Sequence, residues 1–260
     1  MKIPSLLLLI VSGCGAAGDG LPSAGPAAPD AAAPAAPGDV DEIQGGARDP
    51  HDPAVGLVWI RGGGFCTGSL IAPDVVLTAG HCVADPVAAF YTGVGKGSAE
   101  VGRLPVAGFV EHRVIDQVAH PSYEAIDQCP NPTFDVGLLH LAAPIKELTP
   151  LPVAVVPPHD GATCRAVGYG VHDDGRGRVT VEQRRAATEK VAGLDDTSIR
   201  VTRKSGVVDH GDSGGPLLCS RRIVGTTSCG NDPSPEHTEA YYARVDGIGD
   251  WIAEVMSSWR

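Results

Sequence analysis

The chain has 260 residues, 34 of them glycine and 22 proline, with 43% hydrophobic, 20% charged and only 5% aromatic residues. This composition excludes collagen, coiled coil and wholesale disorder, and the length suffices for one large domain or two small ones that bury a real core. The formal net charge of −11 argues against a nucleic-acid partner, because phosphate backbones are bound by clustered cations.

Residues 1–14 carry one cation, Lys2, ahead of the apolar run Leu6–Val11. The run is far shorter than the ~20 apolar residues of a membrane-spanning helix. A short basic start, an apolar stretch and small residues form the pattern of an export signal. Its end, Val11-Ser12-Gly13-Cys14, resembles a bacterial lipobox, which would make Cys14 a lipidated membrane tether; the competing reading is an ordinary signal peptide with an incidental cysteine. Residues 15–42 then hold ten Ala, five Pro and five Gly and no aromatic residue. Such a segment buries too little apolar surface to offset chain entropy, and its prolines interrupt any helix the alanines favour. It reads as a linker or propeptide, and the folded domain is expected over residues 43–260. An exported protein follows, either anchored as a bacterial lipoprotein or released.

From Ile43 onward, short apolar runs alternate with turn clusters. Expected strands are Val55–Ile60, Thr67–Ile71, Val75–Thr78, Val87–Tyr91, Leu104–Val110, Val136–Leu141 and Cys164–Gly168. Further strands are expected at Ala186–Val191, Ser198–Val201, Pro216–Cys219, Ile223–Thr227 and Ala240–Val245. Their spacing of roughly 8–12 residues predicts an all-β sandwich or barrel. One segment has helical periodicity instead: Ile248, Trp251, Ile252, Val255, Met256 and Trp259 share a face of a C-terminal helix, expected to dock on the core rather than on a membrane. No internal repeat is visible in the sequence.

Three motifs carry chemistry. Leu77-Thr78-Ala79-Gly80-His81-Cys82 ends a strand in a histidine beside a cysteine that could fix its loop, and Phe134-Asp135-Val136-Gly137-Leu138-Leu139 opens an apolar strand with an acid. Alone, such a histidine is more often structural and such an acid a solvated strand end. Gly211-Asp212-Ser213-Gly214-Gly215-Pro216 sets a serine among glycines. Glycines relieve strain in a tight loop and let a substrate backbone approach, and consecutive N–H groups there can converge on a developing oxyanion. The segment also fits the G-x-S-x-G elbow of α/β-hydrolases. That fold needs an acid and a histidine after the serine, yet only 47 residues follow Ser213 and the body reads as β throughout. Together, His81, Asp135 and Ser213 stand in the chymotrypsin order of a His–Asp–Ser triad.

With these motifs in this order, residues 43–260 resemble a trypsin/chymotrypsin-type serine protease. Cys66-Thr67-Gly68-Ser69-Leu70-Ile71, Thr163–Gly170, Tyr242-Ala243-Arg244-Val245 and Asp250-Trp251-Ile252 resemble further family segments. The resemblance implies two antiparallel six-stranded β-barrels with the active site between them. It implies Ser213 as nucleophile, His81 as general base and then acid, Asp135 as its orienting partner, and the N–H groups of Gly211 and Ser213 as oxyanion hole. Ser228 would support Asp135 and line the substrate strand. Ile43-Gln44-Gly45-Gly46 resembles the N-terminus that family zymogens expose on cleavage, its ammonium then pairing with Asp212. Glu42 stands before Ile43 where many relatives have a basic residue, which argues against a trypsin-like activator.

Setting Cys14 aside leaves six cysteines with 15 formal connectivities, and export favours disulfides. The resemblance implies Cys66–Cys82, Cys164–Cys219 and, with Cys229 in the family's Trp position opposite the loop before the acid, Cys129–Cys229. Metal binding is the weaker reading, since no close cysteine pair or His-rich spacing supports it; neither metal nor cofactor is expected. Val207, six residues before Ser213, matches the base of the specificity pocket, with Gly230 and Ala240 at its walls. These imply a small or medium apolar side chain before the scissile bond. Asp209, standing where relatives have a cysteine, opens the alternative of Lys or Arg, while the neighbouring His210 reads as solvated. The expected partners are protein or peptide substrates of a monomeric endopeptidase. The alternative from another class is a protease-like surface binding protein that does not cleave.

Overall fold

Alternating apolar residues on short strands can bury one face only by closing the sheet or stacking it; here they close it twice. The computed structural model describes Ile43, Cys129 and residues 46–95, 107–125, 132–170, 172–173, 179–180, 183–230 and 238–260. The expected signal and linker of residues 1–42, Cys14 among them, lie outside the described residues.

The first barrel comprises β1 (Val55–Ile60), β2 (Phe65–Ala72), β3 (Val75–Thr78), β4 (Val87–Gly93), β5 (Phe109–Ala119) and β6 (Gly137–Leu141). Its strands pair antiparallel in the order β1-β2-β3-β6-β5-β4, and β4 returns to β1. The second comprises β7 (Thr163–Gly168), β8 (Arg185–Leu194), β9 (Ser198–Arg203), β10 (Pro216–Cys219), β11 (Arg222–Gly230) and β12 (Glu239–Arg244). Its order is β8-β9-β12-β11-β10-β7, closed by the pairing of β7 with β8. Counted from its own first strand, each barrel has the order 1-2-3-6-5-4, a duplication of topology without a visible repeat of sequence.

One expected strand is displaced. Residues 104–106 of the run Leu104–Val110 lie outside the described residues, and the observed β5 begins at Phe109 and continues to Ala119. Val114 is its one fully buried residue, so Glu111, His112, Arg113, Asp116 and Gln117 mask its alternation. A bulge between Val114 and Asp116 shifts the pattern again.

Each barrel has its own core. Val58, Leu70, Val76, Phe90, Leu139 and Leu141 pack in the first, and Ala166, Val191, Ile199, Val201, Leu217 and Tyr242 in the second. A further cluster joins Val75, Leu77, Val136 and Leu138 of the first barrel to Val167, Leu218, Ile223 and Ala243 of the second. Each buried Val, Leu or Ile side chain of this cluster contributes about 1.5–3 kcal/mol, which holds the two barrels against each other. The helix α1 (Gly249–Ser258) adds Ile252 to this cluster. Beside it Trp251 sets its ring against His120 and Trp259 stacks on His140, both at 4.9 Å, with Trp259 Nε1 donating to Asp116 at 2.9 Å.

The chain entering the first barrel is also tied to the second. Asp49 accepts from the Nε of the buried Arg184 at 2.8 Å and from Arg165, which reaches Asp52 as well. Burial alone would push the Asp49 carboxyl up, but the two guanidinium groups and the His51 N–H outweigh it and hold the carboxyl below its ordinary value.

Candidate active site

β3 runs out at Thr78, and Ala79-Gly80 leads into a single 3-10 turn, His81–Val83. Gly80 is needed for closeness: a Cβ there would lie 2.9 Å from the Tyr123 ring and 3.1 Å from Asp135 Oδ1. Cys82, the residue after His81, is joined to Cys66 of β2 by a disulfide, so the histidine turn is fastened to the barrel wall. Asp135, just before β6, is 1% exposed. Its Oδ2 lies 2.8 Å from His81 Nδ1 and accepts the Ser228 hydroxyl at 2.5 Å, while its Oδ1 accepts the His81 N–H at 2.8 Å. Burial by itself would raise the Asp135 carboxyl, but its bonds to His81 and Ser228 prevail and keep it below the ordinary carboxylate value. The acid is therefore ionised and fixes the ring through Nδ1, leaving Nε2 as the nitrogen available for proton transfer.

Ser213 comes from the second barrel, on the turn that opens β10. Gly214 has φ +79°, and a Cβ there would run into Thr78 Oγ1, with Thr67 O at 2.5 Å. Only glycine combines that dihedral with that approach. Thr67 of β2 stitches the turn across the cleft: its N–H donates to Ser213 O at 2.8 Å and its Oγ1 donates to Gly211 O at 2.9 Å. Cys82 Sγ sits 3.7 Å from Ser213 O. The turn thus lies against the residue next to His81. Among the described residues the Ser213 hydroxyl and the His81 ring share no hydrogen bond, and such bonds commonly tighten only when substrate is present.

The backbone donors of the turn divide cleanly. The N–H groups of Asp212, Gly214 and Gly215 donate to Asp209, Thr227 and Asp212 carbonyls at 2.8–3.0 Å. Among the described residues those of Gly211 and Ser213 have no protein acceptor. Both donors belong to a glycine-rich turn with φ +90° at Gly211.

A likeness of sequence decides the family. Residues 43–252 match the family described as Trypsin. The chain belongs to the trypsin family. It is a serine endopeptidase, acting on protein or peptide substrates. Among its relatives is "Trypsin" of Saccharopolyspora erythraea, 29% identical over 233 residues that cover 80% of this chain and 94% of the relative. "Thrombin-like enzyme agkihpin-1" of Gloydius halys is 28% identical over 215 residues, 74% of this chain and 86% of that one. Two solved structures share the fold. Mouse neuropsin matches with a TM-score of 0.61 and 24% identity, over 81% of this chain and 98% of its own. Human heparin binding protein matches with 0.66 and 22%, over 82% and 96%.

Asp212 is 0% exposed, its two carboxyl oxygens accepting Gly170 N–H at 2.8 Å and Asp209 N–H at 2.9 Å. Burial pushes it up to about 7. Ile43 is buried in the second-barrel core, in the cluster that also holds Val207 and Val208. Val207 and Ala240 are wholly buried, Ser228 is nearly so, and Gly230 is exposed. Asp209 Oδ1 accepts from His210 N at 2.6 Å and lies 2.8 Å from His210 Nδ1, on the outer side of the loop. Disulfides also join Cys129 to Cys229 and Cys164 to Cys219. The first staples the segment before Asp135 to β11, next to Ser228. The group Cys66, His81 and Cys82 could be mistaken for metal ligands, but both sulfurs are spent in the disulfide.

Sequence reasoning passed over Glu189 and gave Tyr242 no part beyond a segment resembling the family's. Glu189 is 0% exposed in the second barrel and accepts the Tyr242 hydroxyl at 2.6 Å. A signal existed: along β8 the inward positions are Arg185, Ala187, Glu189 and Val191, and an acid on the apolar phase of a strand is out of pattern.

Proposed function

We propose that the protease cleaves peptide bonds through an acyl-enzyme on Ser213, and the unspent N–H pair of Gly211 and Ser213 beside the His81–Asp135 unit is the observation that carries this reading. Ser213 Oγ attacks the scissile carbonyl while His81 Nε2 takes its proton; the same proton passes to the leaving amine as the C–N bond breaks. Water then attacks the ester by the same route in reverse and frees Ser213. Asp135 keeps the ring's orientation and stabilises its charged form without itself being protonated. The two N–H groups receive the oxyanion, and loss of one such donor costs about 10²–10³ in rate. Ser228, bonded to Asp135, also lies on β11, where the substrate backbone would run.

Activation follows from the buried Asp212. Cleavage between Glu42 and Ile43 creates an ammonium beside the second-barrel core; paired with Asp212 it supplies the countercharge that a buried carboxylate requires and orders the turn that carries the oxyanion donors. Export through residues 1–14, tethering through Cys14 and a spacer over residues 15–42 complete the reading of the precursor, with a monomeric domain from residue 43 onward. Val207, Gly230 and Ala240 outline the pocket for the residue before the scissile bond. Taken alone these walls favour a small or medium apolar side chain; an acid within reach of them would instead favour an aliphatic stem ending in a cation.

The test is to label protein cut before Ile43 with a serine-reactive phosphonate and to profile its cleavage of a mixed peptide library, with Ser213→Ala as control. Labelling at Ser213 and cleavage by the parent alone are expected. Folded, correctly processed protein that neither labels nor cleaves would sink the reading and leave a binding role.

A further inference from the structure

A barrel core has no structural use for a carboxylic acid. Ala187 and Val191, the inward neighbours of Glu189 on β8, belong to the apolar core of the second barrel, and Glu189 between them is sealed from solvent. Acids are almost never fully buried unless paired. Among the described residues the carboxyl has two hydrogen bonds, from the Tyr242 hydroxyl to Oε2 at 2.6 Å and from the Val208 N–H to Oε1 at 3.4 Å. Among the described residues no cation meets it. Lys190 points outward, and Arg203, opposite Glu189 on β9, is exposed. The titratable groups close to it are Tyr242 and Asp212, which only make ionisation harder or donate one bond. Burial accordingly pushes Glu189 up to about 8.

Both of its partners lie close in the chain to residues proposed above as the outline of the specificity pocket. Val208 follows Val207 at the pocket base, and Tyr242 lies two residues beyond Ala240 on β12. The acid is therefore bonded to the residue after Val207 and to the residue two beyond Ala240, which ties it to the proposed base and wall of the pocket. Asp209, the acid whose sequence position first suggested basic specificity, is turned toward His210.

Resting on the assignment of Ser213 as nucleophile, we propose that Glu189 is the specificity-determining acid of this protease, receiving the ammonium or guanidinium of a substrate Lys or Arg immediately before the scissile bond. The aliphatic stem of that residue packs against Val207 and Ala240, as apolar walls require. The cation supplies the countercharge that the fold withholds, and the carboxyl gives up its proton to solvent as the pair forms. Glu189 and Val207 are both covered in the uncut chain, so the pocket opens as the segment from Val207 to Asp212 rearranges around the freed Ile43 ammonium.

The experiment compares kcat/KM for matched peptides with Arg, Lys, Leu or Ala before the cleaved bond, using protein cut before Ile43, in parent, Glu189→Gln, Glu189→Asp and Glu189→Leu. The parent is expected to prefer Arg and Lys. The ratio of Arg to Leu cleavage should fall about 100-fold in Glu189→Gln, as for loss of one member of a buried charge pair, and Glu189→Asp should recover part of it. Glu189→Leu, which suits the apolar core, keeps the comparison available if Glu189→Gln folds poorly, and it should shift preference to apolar residues. A parent that labels with phosphonate yet prefers Leu or Ala overturns the proposal while leaving the triad standing. So does an Arg/Leu ratio unchanged in the Gln and Leu variants. A parent that does not label at all fails the prior assignment instead.

Discussion

The sharpest consequence of the buried Asp212 concerns the uncut precursor. Its carboxyl stands at about 7 against an ordinary 3.8 because burial disfavours its charge. The folded chain therefore holds a proton that the unfolded chain releases, and stability falls as pH rises from about 4 to about 7. At ~1.4 kcal/mol for each tenfold change in proton affinity, the full penalty is about 4 kcal/mol once both states are ionised. Asp212→Asn removes that titration. The asparagine carbonyl can still accept Gly170 N–H, but its amide then faces the Asp209 N–H that Oδ2 now accepts, and one unpaired buried donor costs about 1–2 kcal/mol. In a Ser213→Ala background, to prevent self-cleavage, the variant should be about 1–2 kcal/mol less stable than its parent near pH 4 and about 2 kcal/mol more stable at pH 8. Urea unfolding at the two pH values measures both. Glu189, raised from 4.5 to about 8, slopes the same way and remains in the variant, so the profile flattens without becoming level. Parallel profiles for parent and variant would refute the claim that burial outweighs the groups that favour the charged form of Asp212 before cleavage.

Other perturbations probe the rest of the frame. Ser228→Ala removes the 2.5 Å bond to Asp135 but leaves both bonds from His81, so the Asp135 carboxyl should rise and kcat fall about 10-fold, in line with a bond to a charged acceptor of ~1.5–3 kcal/mol; steady-state kinetics on a peptide substrate reads it. Gly214→Ala combines φ +79° with a Cβ 2.5 Å from Thr67 O. It should lower stability by about 3 kcal/mol or more, seen as a drop in the thermal midpoint. Replacing Cys129 and Cys229 together by serine opens a crosslink across 100 residues and should cost up to about 4 kcal/mol in denaturant unfolding. Arg184→Met strips Asp49 of its most buried partner while Arg165 remains. The loss should sit near the lower end of the range for a broken buried pair, about 3 kcal/mol by urea unfolding.

What could be read in advance follows from the range of each interaction. Strands such as Val55–Ile60, Val75–Thr78 and Pro216–Cys219 were legible because their burial is written in successive residues. β5 was not, because it lies mostly exposed and its pairing with β4 and β6 is what makes it a strand. The duplicated strand order also escaped the sequence, since a barrel asks only for apolar residues in the right phase and not for the same ones. The site divides the same way. His81, Asp135 and Ser213 announce themselves through short local motifs, whereas the bonds that hold them run from Thr67 to Gly211 and from Ser228 to Asp135, 144 and 93 residues apart. Glu189 belongs to both kinds. Its wrong phase on β8 was visible within four residues, but only the closure of β8 against Tyr242 and Val208 ties that misplaced acid to the proposed base and wall of the pocket. An acid out of pattern on an otherwise apolar strand is where local consistency gives way, and such breaks concentrate at functional sites because the fold alone would remove them.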